Sequence, residues 1–242
     1  MAKATSKPPP NTYRAHRERQ KRRILDSARA LFDEHGIDRV TMAELTAASG
    51  VQPSTLYQYF ANKDDVVWAL LRELMAVEAE YGKQNFREAP NALAGIEAIF
   101  EHMADELAHH RERVRFIAQF DALYARNWPA ERLLQVEAQF APEGFAFLGE
   151  LIRRGIGDGS LRSDLDPEIT MHAVFNTVIA TQRRLASLGS KVEIEYGQPV
   201  DRLFRETIRV LLLGLRATRS SSVKRAAHKV KTPKRNSTRR PS

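Results

Sequence analysis

The 242 residues include no cysteine. That excludes disulfides, thiolate metal sites and cysteine nucleophiles, and it fits a reducing, cytoplasmic setting. No uninterrupted apolar run approaches the roughly 18 residues needed to span a bilayer, so no membrane partner is expected. The charged N-terminus lacks the apolar h-region of a secretory signal. The motifs of catalysis are also missing. His102, His109 and His110 stand outside any HExxH pattern and read as exposed helical histidines, so no metal is expected. Ser54 and Ser160 have no GxSxG setting. Gly155, Gly157 and Gly159 lack the Gly-Lys-Ser/Thr ending and the preceding strand of a phosphate loop, so they read as a helix stop and turn. Asp164 and Asp166 read as turn and cap rather than as a catalytic pair. Without an acid, base or metal constellation the chain does not read as an enzyme, and no cofactor is expected.

Acidic residues are missing from particular regions too. Residues 1–23 hold eight Lys/Arg against one acid, Glu18, and residues 216–242 hold ten Lys/Arg and no acid. These segments carry +7 and +10 of a total of +8, which leaves −9 on residues 24–215. Basic arms on an acidic body suit a polyanion, nucleic acid first, because neutralising phosphates releases counterions. The arms lack the apolar face that membrane-surface binding uses. Solvated tails without a partner are compatible with the same composition.

What is present is helical periodicity. Ile24, Ala28, Leu31 and Phe32 follow the i, i+4, i+7, i+8 spacing of one helix face, in a first helix from Tyr13 or Arg17 to His35, stopped at Gly36. Val66, Val67, Leu70, Leu71 and Leu74 mark a helix over 63–82. Further helices are expected from Pro90 through Leu107, over 112–126, over 129–140 and over 142–155. Gly155 to Gly159 then form a loop. Asp166-Pro167 gives a cap and first-turn start to a helix reaching Leu188, and a last helix covers 199–217. No strand alternation and no internal repeat are found. The fold class is all-α, with about nine helices. The organisation reads as a disordered arm over 1–12, a helix-turn-helix unit over 13–63, a larger helical part over 64–217 and a disordered basic tail over 218–242.

The most informative stretch is Thr41 to Lys63, TMAELTAASGVQPSTLYQYFANK. Thr41 and Glu44 match the capping box, so a helix starts there. Gly50 supplies the left-handed residue that ends it, Val51 is the buried residue of the turn, and Pro53 fits the first position of the next helix. Leu56 and Phe60, four apart, face the core. Ser54, Thr55, Gln58 and Tyr59 are left facing outward, with Tyr57 at the edge. Asn62 caps a further helix, whose positive end suits Asp64 and Asp65. Such a unit places a short helix in a DNA major groove, although helix-turn-helix geometry also occurs in helical proteins that bind no DNA.

From Arg23 to Val66 the chain resembles the tetracycline-repressor-like (TetR/AcrR) family of bacterial transcription regulators. The match includes Ile24, Leu25, Ala28, Leu31, Phe32, Gly36, Val40, Thr41, Leu45, Ala48, Gly50, Val51, Thr55, Leu56, Tyr57, Phe60, Asn62 and Lys63. The resemblance implies a homodimer that binds a palindromic operator in double-stranded DNA. Each three-helix head would read a half-site, and the helical remainder would hold the dimer interface and a pocket for a small-molecule effector. By position, Thr41, Thr55, Tyr57 and Lys63 would contact phosphates, and Gln52, Pro53, Ser54, Gln58 and Tyr59 would lie nearer the bases. The chain departs from the family pattern in three places. Met42 stands where a second Thr is common, Leu45-Thr46 where Ile-Ala is frequent, and Gln52 where the cap is usually Ser or Thr.

Phe116, Phe120, Tyr124 and Trp128, spaced by four, line one side of a helix and its exit. Core packing is the default for such a stripe. The sharper expectation makes it the wall of an effector pocket that Phe175, Asn176 and Gln182 also face. The last two long helices are apolar enough to pack on both the core and a second copy. The sequence thus points to a ligand-responsive, nucleoid-associated repressor. The alternative is a low-specificity, nucleoid-type DNA-coating protein driven by its basic arms.

Overall fold

The computed structural model describes residues 12–139 and 146–217, with the side chains at 12, 13, 83, 85–87 and 146–148 outside that description. The expected arm up to residue 11, the basic tail and the junction near Pro142 fall outside the described residues, while residue 12 already belongs to the first helix. Eleven helices follow one another: α1 (Thr12–His35), α2 (Met42–Ser49), α3 (Pro53–Tyr59), α4 (Lys63–Glu88), α5 (Ala92–His109), α6 (Arg111–Tyr124), α7 (Ala130–Glu137), α8 (Ala146–Asp158), α9 (Pro167–Leu188), α10 (Ser190–Tyr196) and α11 (Val200–Leu215). The extended pairing found among the described residues is a single antiparallel bridge, Leu161 with Arg216. The all-α class and the small N-terminal head followed by a larger helical body are therefore as expected.

Helix starts follow capping chemistry. The backbone N–H of Ala94 donates to Asn91 Oδ1 at 2.9 Å, so Asn91 rather than Pro90 opens α5. Asp166 Oδ1 accepts from Glu168 N at 2.9 Å and from Ile169 N at 3.1 Å, with Pro167 at the first helical position.

Other places differ from the sequence expectation. Helix α4 runs past Gly82 to Glu88, since a lone glycine costs a helix only about 1 kcal/mol. The short helix α10 lies in a stretch expected to be a connection, closed by Gly197 in the left-handed region at φ 65°. Gly155 and Gly157 lie inside α8, and the chain turns only at Gly159, φ 80°. At Gly155 the glycine serves packing, because a Cβ there would stand 2.4 Å from Leu161 Cγ.

The apolar residues form two clusters. One joins α1–α3 to the first two turns of α4, through Ile24, Phe32, Leu45, Leu56 and Val66 to Leu71, and also takes in Phe116 and Phe120 of α6 and Val136 of α7. The other fills the body, among α5, α8, α9, α10 and α11, with Val114 of α6. The head core therefore does not end at the start of α4. It is completed by a helix some fifty residues further along the chain.

Candidate nucleic-acid interface and its link to the body

The α2–turn–α3 unit is built as its sequence dictates. Glu44 N donates to Thr41 Oγ1 at 3.2 Å and Thr41 N donates to Glu44 Oε2 at 2.7 Å, a complete capping box. The Thr41 hydroxyl also donates to Glu44 Oε2 at 2.8 Å, and this bond first, then the one from Thr41 N, holds the Glu44 carboxyl below the ordinary glutamate range. Gly50 sits at φ 61° and its N–H reaches Thr46 O. Arg23 of α1 donates to Ser49 O at 2.8 Å, closing the last turn of α2 from outside. Leu56 and Phe60 are buried and seat α3 on the core.

The outward side of α3 carries most of the expected contact residues. Gln52, Pro53, Ser54, Tyr57 and Gln58 are exposed, as is Thr41, and Thr55 is half-buried. The Gln52 side chain makes no cap bond, so its amide stays outside the helix with donors and an acceptor. Asn62 Oδ1 accepts from Asp65 N at 3.0 Å and opens α4.

Two residues stand differently from the expectation. Tyr59 is half-buried rather than outward-facing. Its hydroxyl donates to Gln20 Oε1 at 3.1 Å, and the Arg17 guanidinium lies 5.6 Å from its ring centroid. The first helix extends far enough to cover that ring. Lys63 Nζ donates to Ile37 O at 2.8 Å and to Asp38 O at 3.0 Å, so two of its three protons hold the α1–α2 connection.

The aromatic stripe stays together, with Trp128 edge-on to Phe120 at 6.3 Å, but it parts from Phe175, Asn176 and Gln182. Phe116 and Phe120 are buried in the head cluster. Phe116 stacks on Phe32 with centroids 6.3 Å apart, and Phe120 meets Trp68 edge-on at 5.3 Å. Tyr124 leans on the same pair. Burial first, then the charge of Asp64, push its hydroxyl up to a pKa of about 12. Trp128 is half-exposed at 51%. Phe175 instead packs on Phe100 at 5.2 Å, Gln182 is buried and donates to Met103 O at 2.6 Å, and Asn176 is exposed. Phe116 and Phe120 thus belong to the head's packing, while Phe175 and Gln182 belong to the body's. The stripe contacts the head because α6 crosses α1 and α4 on one side and α9 on the other. His102 also departs from its expectation, since it lies half-buried with its ring stacked 3.7 Å from that of Tyr81.

The structure adds residues that the sequence reading did not single out. Gln119 of α6 accepts from Ile37 N at 2.9 Å and donates to Phe32 O at 3.2 Å, bracketing the end of α1. One turn earlier, Arg115 donates to Asp33 Oδ1 from Nε at 2.7 Å and from Nη2 at 2.5 Å. On α4, Glu73 accepts from Arg29 at 3.1 Å. On the other side of α6, Arg183 of α9 bonds Asp121. Burial raises the Asp121 pKa and lowers that of Arg183, each partly offset by the partner's charge. One helix therefore grips the head through Arg115, Phe116 and Gln119 and the body through Asp121. The i, i+4 spacing of Arg115 and Gln119 was visible, but partners more than eighty residues away were not.

The sequence pattern that defines "Bacterial regulatory proteins, tetR family" matches residues 24–70, the span from the first buried residue of α1 through the head's share of α4. The HTH-type transcriptional repressor KstR2 of Rhodococcus jostii is 25% identical over 221 residues, covering 86% of this chain and 97% of its own. The solved structure of the ketosteroid transcriptional regulator KstR2 of Mycobacterium tuberculosis superposes with a TM-score of 0.63 at 21% identity, over 82% of this chain and 96% of that one. FadR from Bacillus subtilis, solved in complex with stearoyl-CoA, gives a TM-score of 0.57 at 20% identity, over 79% and 97% of the respective chains. The capping box, the glycine turn and the seated second helix thus lie in the segment of the chain that matches the tetR family of bacterial regulatory proteins.

Proposed function

We propose that the protein is a homodimeric, sequence-specific repressor that is released from a palindromic operator by a small-molecule effector. The observation that carries the DNA-reading part is the outward set on α3. Gln52, Ser54 and Gln58 present amides and a hydroxyl, groups that read base edges, while α3 itself is fixed from behind by Leu56 and Phe60. Thr41, Thr55 and Tyr57 flank that set and serve phosphates. Lys63 is a third-proton donor at most, since two of its hydrogens are engaged by carbonyls. Tyr59 is assigned to bracing α3 against α1 rather than to reading bases.

The dimer reading rests on α9 and α11. Their inner faces are buried in the body core, yet Ile169, Val210 and Leu213 are 66%, 55% and 53% exposed on the same helices. A second copy packing on these faces makes a four-helix contact. Effector control rests on α6, which is bonded to α1 and to α9 at once. A ligand that favours a different placement of α6 in the body changes the head's orientation, by as much as its affinity differs between the two states. The names of relatives, a ketosteroid regulator and a regulator bound to stearoyl-CoA, favour an apolar, lipid-derived effector.

Two measurements test this reading. Gln58→Ala together with Ser54→Ala should reduce binding to the preferred duplex by about 10-fold or more, at 1–3 kcal/mol for a good base contact, while random-duplex binding stays nearly constant. Equal losses on both duplexes would favour the coating protein instead. Val210→Glu with Leu213→Glu should give monomers in sedimentation, and an unchanged dimer would remove α11 from the interface.

A further inference from the structure

The first half of α1 touches the head only at its edge, through Gln20 and Arg17 at Tyr59 and Arg23 at Ser49 O. Among the described side chains of the helix, from Arg14 on, Ile24 is the first that is buried, and the preceding residues 12–23 extend about 18 Å beyond it at the helical rise. All residues from 14 to 23 are exposed except Gln20, which is half-buried beneath Tyr59. The helix face is continuous across this boundary. Arg14, Arg17 and Lys21 lead by three- and four-residue steps into Leu25, Ala28 and Phe32, which are buried. The face that packs the head from residue 24 onward is thus cationic upstream. It emerges beside the end of α3, where the Arg17 guanidinium lies 5.6 Å from the Tyr59 ring centroid.

Helix energetics account for only part of this composition: Glu18 stands four residues from Arg14 and Arg22 and three from Lys21, spacings that favour the helix, but it is one acid among six cations. Residues 12–23 hold six Lys/Arg and one acid, Glu18, and the first turn has no acidic residue. Cations at a helix N-terminus oppose the macrodipole. Arg17 with Lys21, and Arg19 with Arg23, are like charges at i, i+4, which also disfavours the helix. A polyanion alongside reverses the sign of both effects.

We propose that Arg14, Arg17 and Lys21 form a second DNA contact, a cationic strut that binds phosphates flanking the bases met by α3. It adds ionic affinity without sequence preference, and it rests on the reading of α2–α3 as a DNA-binding head. The charge is complementary, and the strut is held in direction by Tyr59, itself the last residue of α3.

The test is a salt series of duplex binding by fluorescence anisotropy with the full chain. It compares the unaltered protein, the pair Arg17→Gln with Lys21→Gln, and the pair Arg19→Gln with Arg22→Gln, which removes equal charge from other sides of the helix. Each lost phosphate contact reduces the slope of log K against log salt by about 0.9. The first pair should therefore flatten the slope by roughly two, and the second pair should leave it near that of the unaltered protein. Helicity and thermal midpoint, read by circular dichroism, should fall in neither variant, since removing cations from a helix N-terminus relieves repulsion. Equal slopes for all three proteins would overturn the proposal, and so would equal flattening by the two pairs, since that is bulk charge and not a face. The series is run on a selected duplex and on a random one. Loss of preference between duplexes in the unaltered protein counts against the reading head alone, whereas the slope difference on either duplex reports the strut.

Discussion

Gln119 gives the most discriminating perturbation, because its two bonds differ in what is left behind when they are lost. Phe32 O keeps the N–H of Gly36 at 3.0 Å if Gln119 Nε2 is removed, so that loss is minor. Ile37 is 1% exposed, and its N–H has Gln119 Oε1 as its acceptor. Leaving a buried donor unsatisfied costs about 1–3 kcal/mol. Gln119→Leu fills similar space with apolar atoms and keeps water out, so it should destabilise the protein by about 2 kcal/mol. Gln119→Ala opens room for a water to bond Ile37 N, so it should cost less. Gln119→Glu keeps the acceptor for Ile37 N but sets a carboxylate oxygen against Phe32 O, and it should fall between them. Urea denaturation at constant m-value gives the order directly. The Gln119→Leu protein should also bind its preferred duplex more weakly than its remaining folded fraction explains, because the head loses its fixed angle to α6. The reasoning is refuted if Leu and Ala cost the same and both stay under about 0.5 kcal/mol.

Other outcomes follow from single contacts. Thr41→Ala removes the capping box and should cost about 1 kcal/mol. The Glu44 pKa is lowered in the fold, so its contribution is present above the ordinary value of 4.5 and is lost as pH falls through the native value. The acid limb of the stability–pH curve should accordingly be shallower in Thr41→Ala, and an identical limb would contradict the assignment. Gly155→Ala and Gly157→Ala should move thermal stability in opposite directions. A Cβ at Gly155 stands 2.4 Å from Leu161 Cγ while one at Gly157 meets nothing within 4 Å, so overpacking of about 1–3 kcal/mol opposes the helix gain only at Gly155, and Gly157→Ala should gain about 0.5–1 kcal/mol. Phe120→Ala should cost about 3–5 kcal/mol and Trp128→Ala under about 1 kcal/mol. Comparable losses by denaturation would mean that the two residues share one enclosed site after all.

The parts of this molecule governed by near neighbours were legible in the sequence. Thr41 with Glu44, Gly50, Pro53, Asn62 and Asp166 act within four residues of themselves, and their capping and turn roles appear as expected. Burial of Leu56 and Phe60 followed from helical period alone. Side-chain placement set by distant elements was not legible. Nothing near Tyr59 reveals that Gln20 and Arg17 of α1 lie against it, or that Lys63 finds two carbonyls of the α1–α2 connection. The stripe Phe116, Phe120, Tyr124 and Trp128 was correctly seen as one helix side, but periodicity does not say which neighbour that side meets. It meets the head. Glycines mislead in the same way, since Gly155 stands in α8 for the sake of Leu161, six residues on.

The central claim is that the α2–α3 head of a dimer reads a defined sequence. Selection of bound duplexes from a random pool by the full chain tests it most directly. The account predicts an enriched motif of two inverted half-sites, their centres one helical turn or a whole multiple apart, about 34–36 Å per turn. The motif should weaken when Ser54 and Gln58 are both replaced by Ala. A bound pool with the same sequence statistics as the input would contradict it.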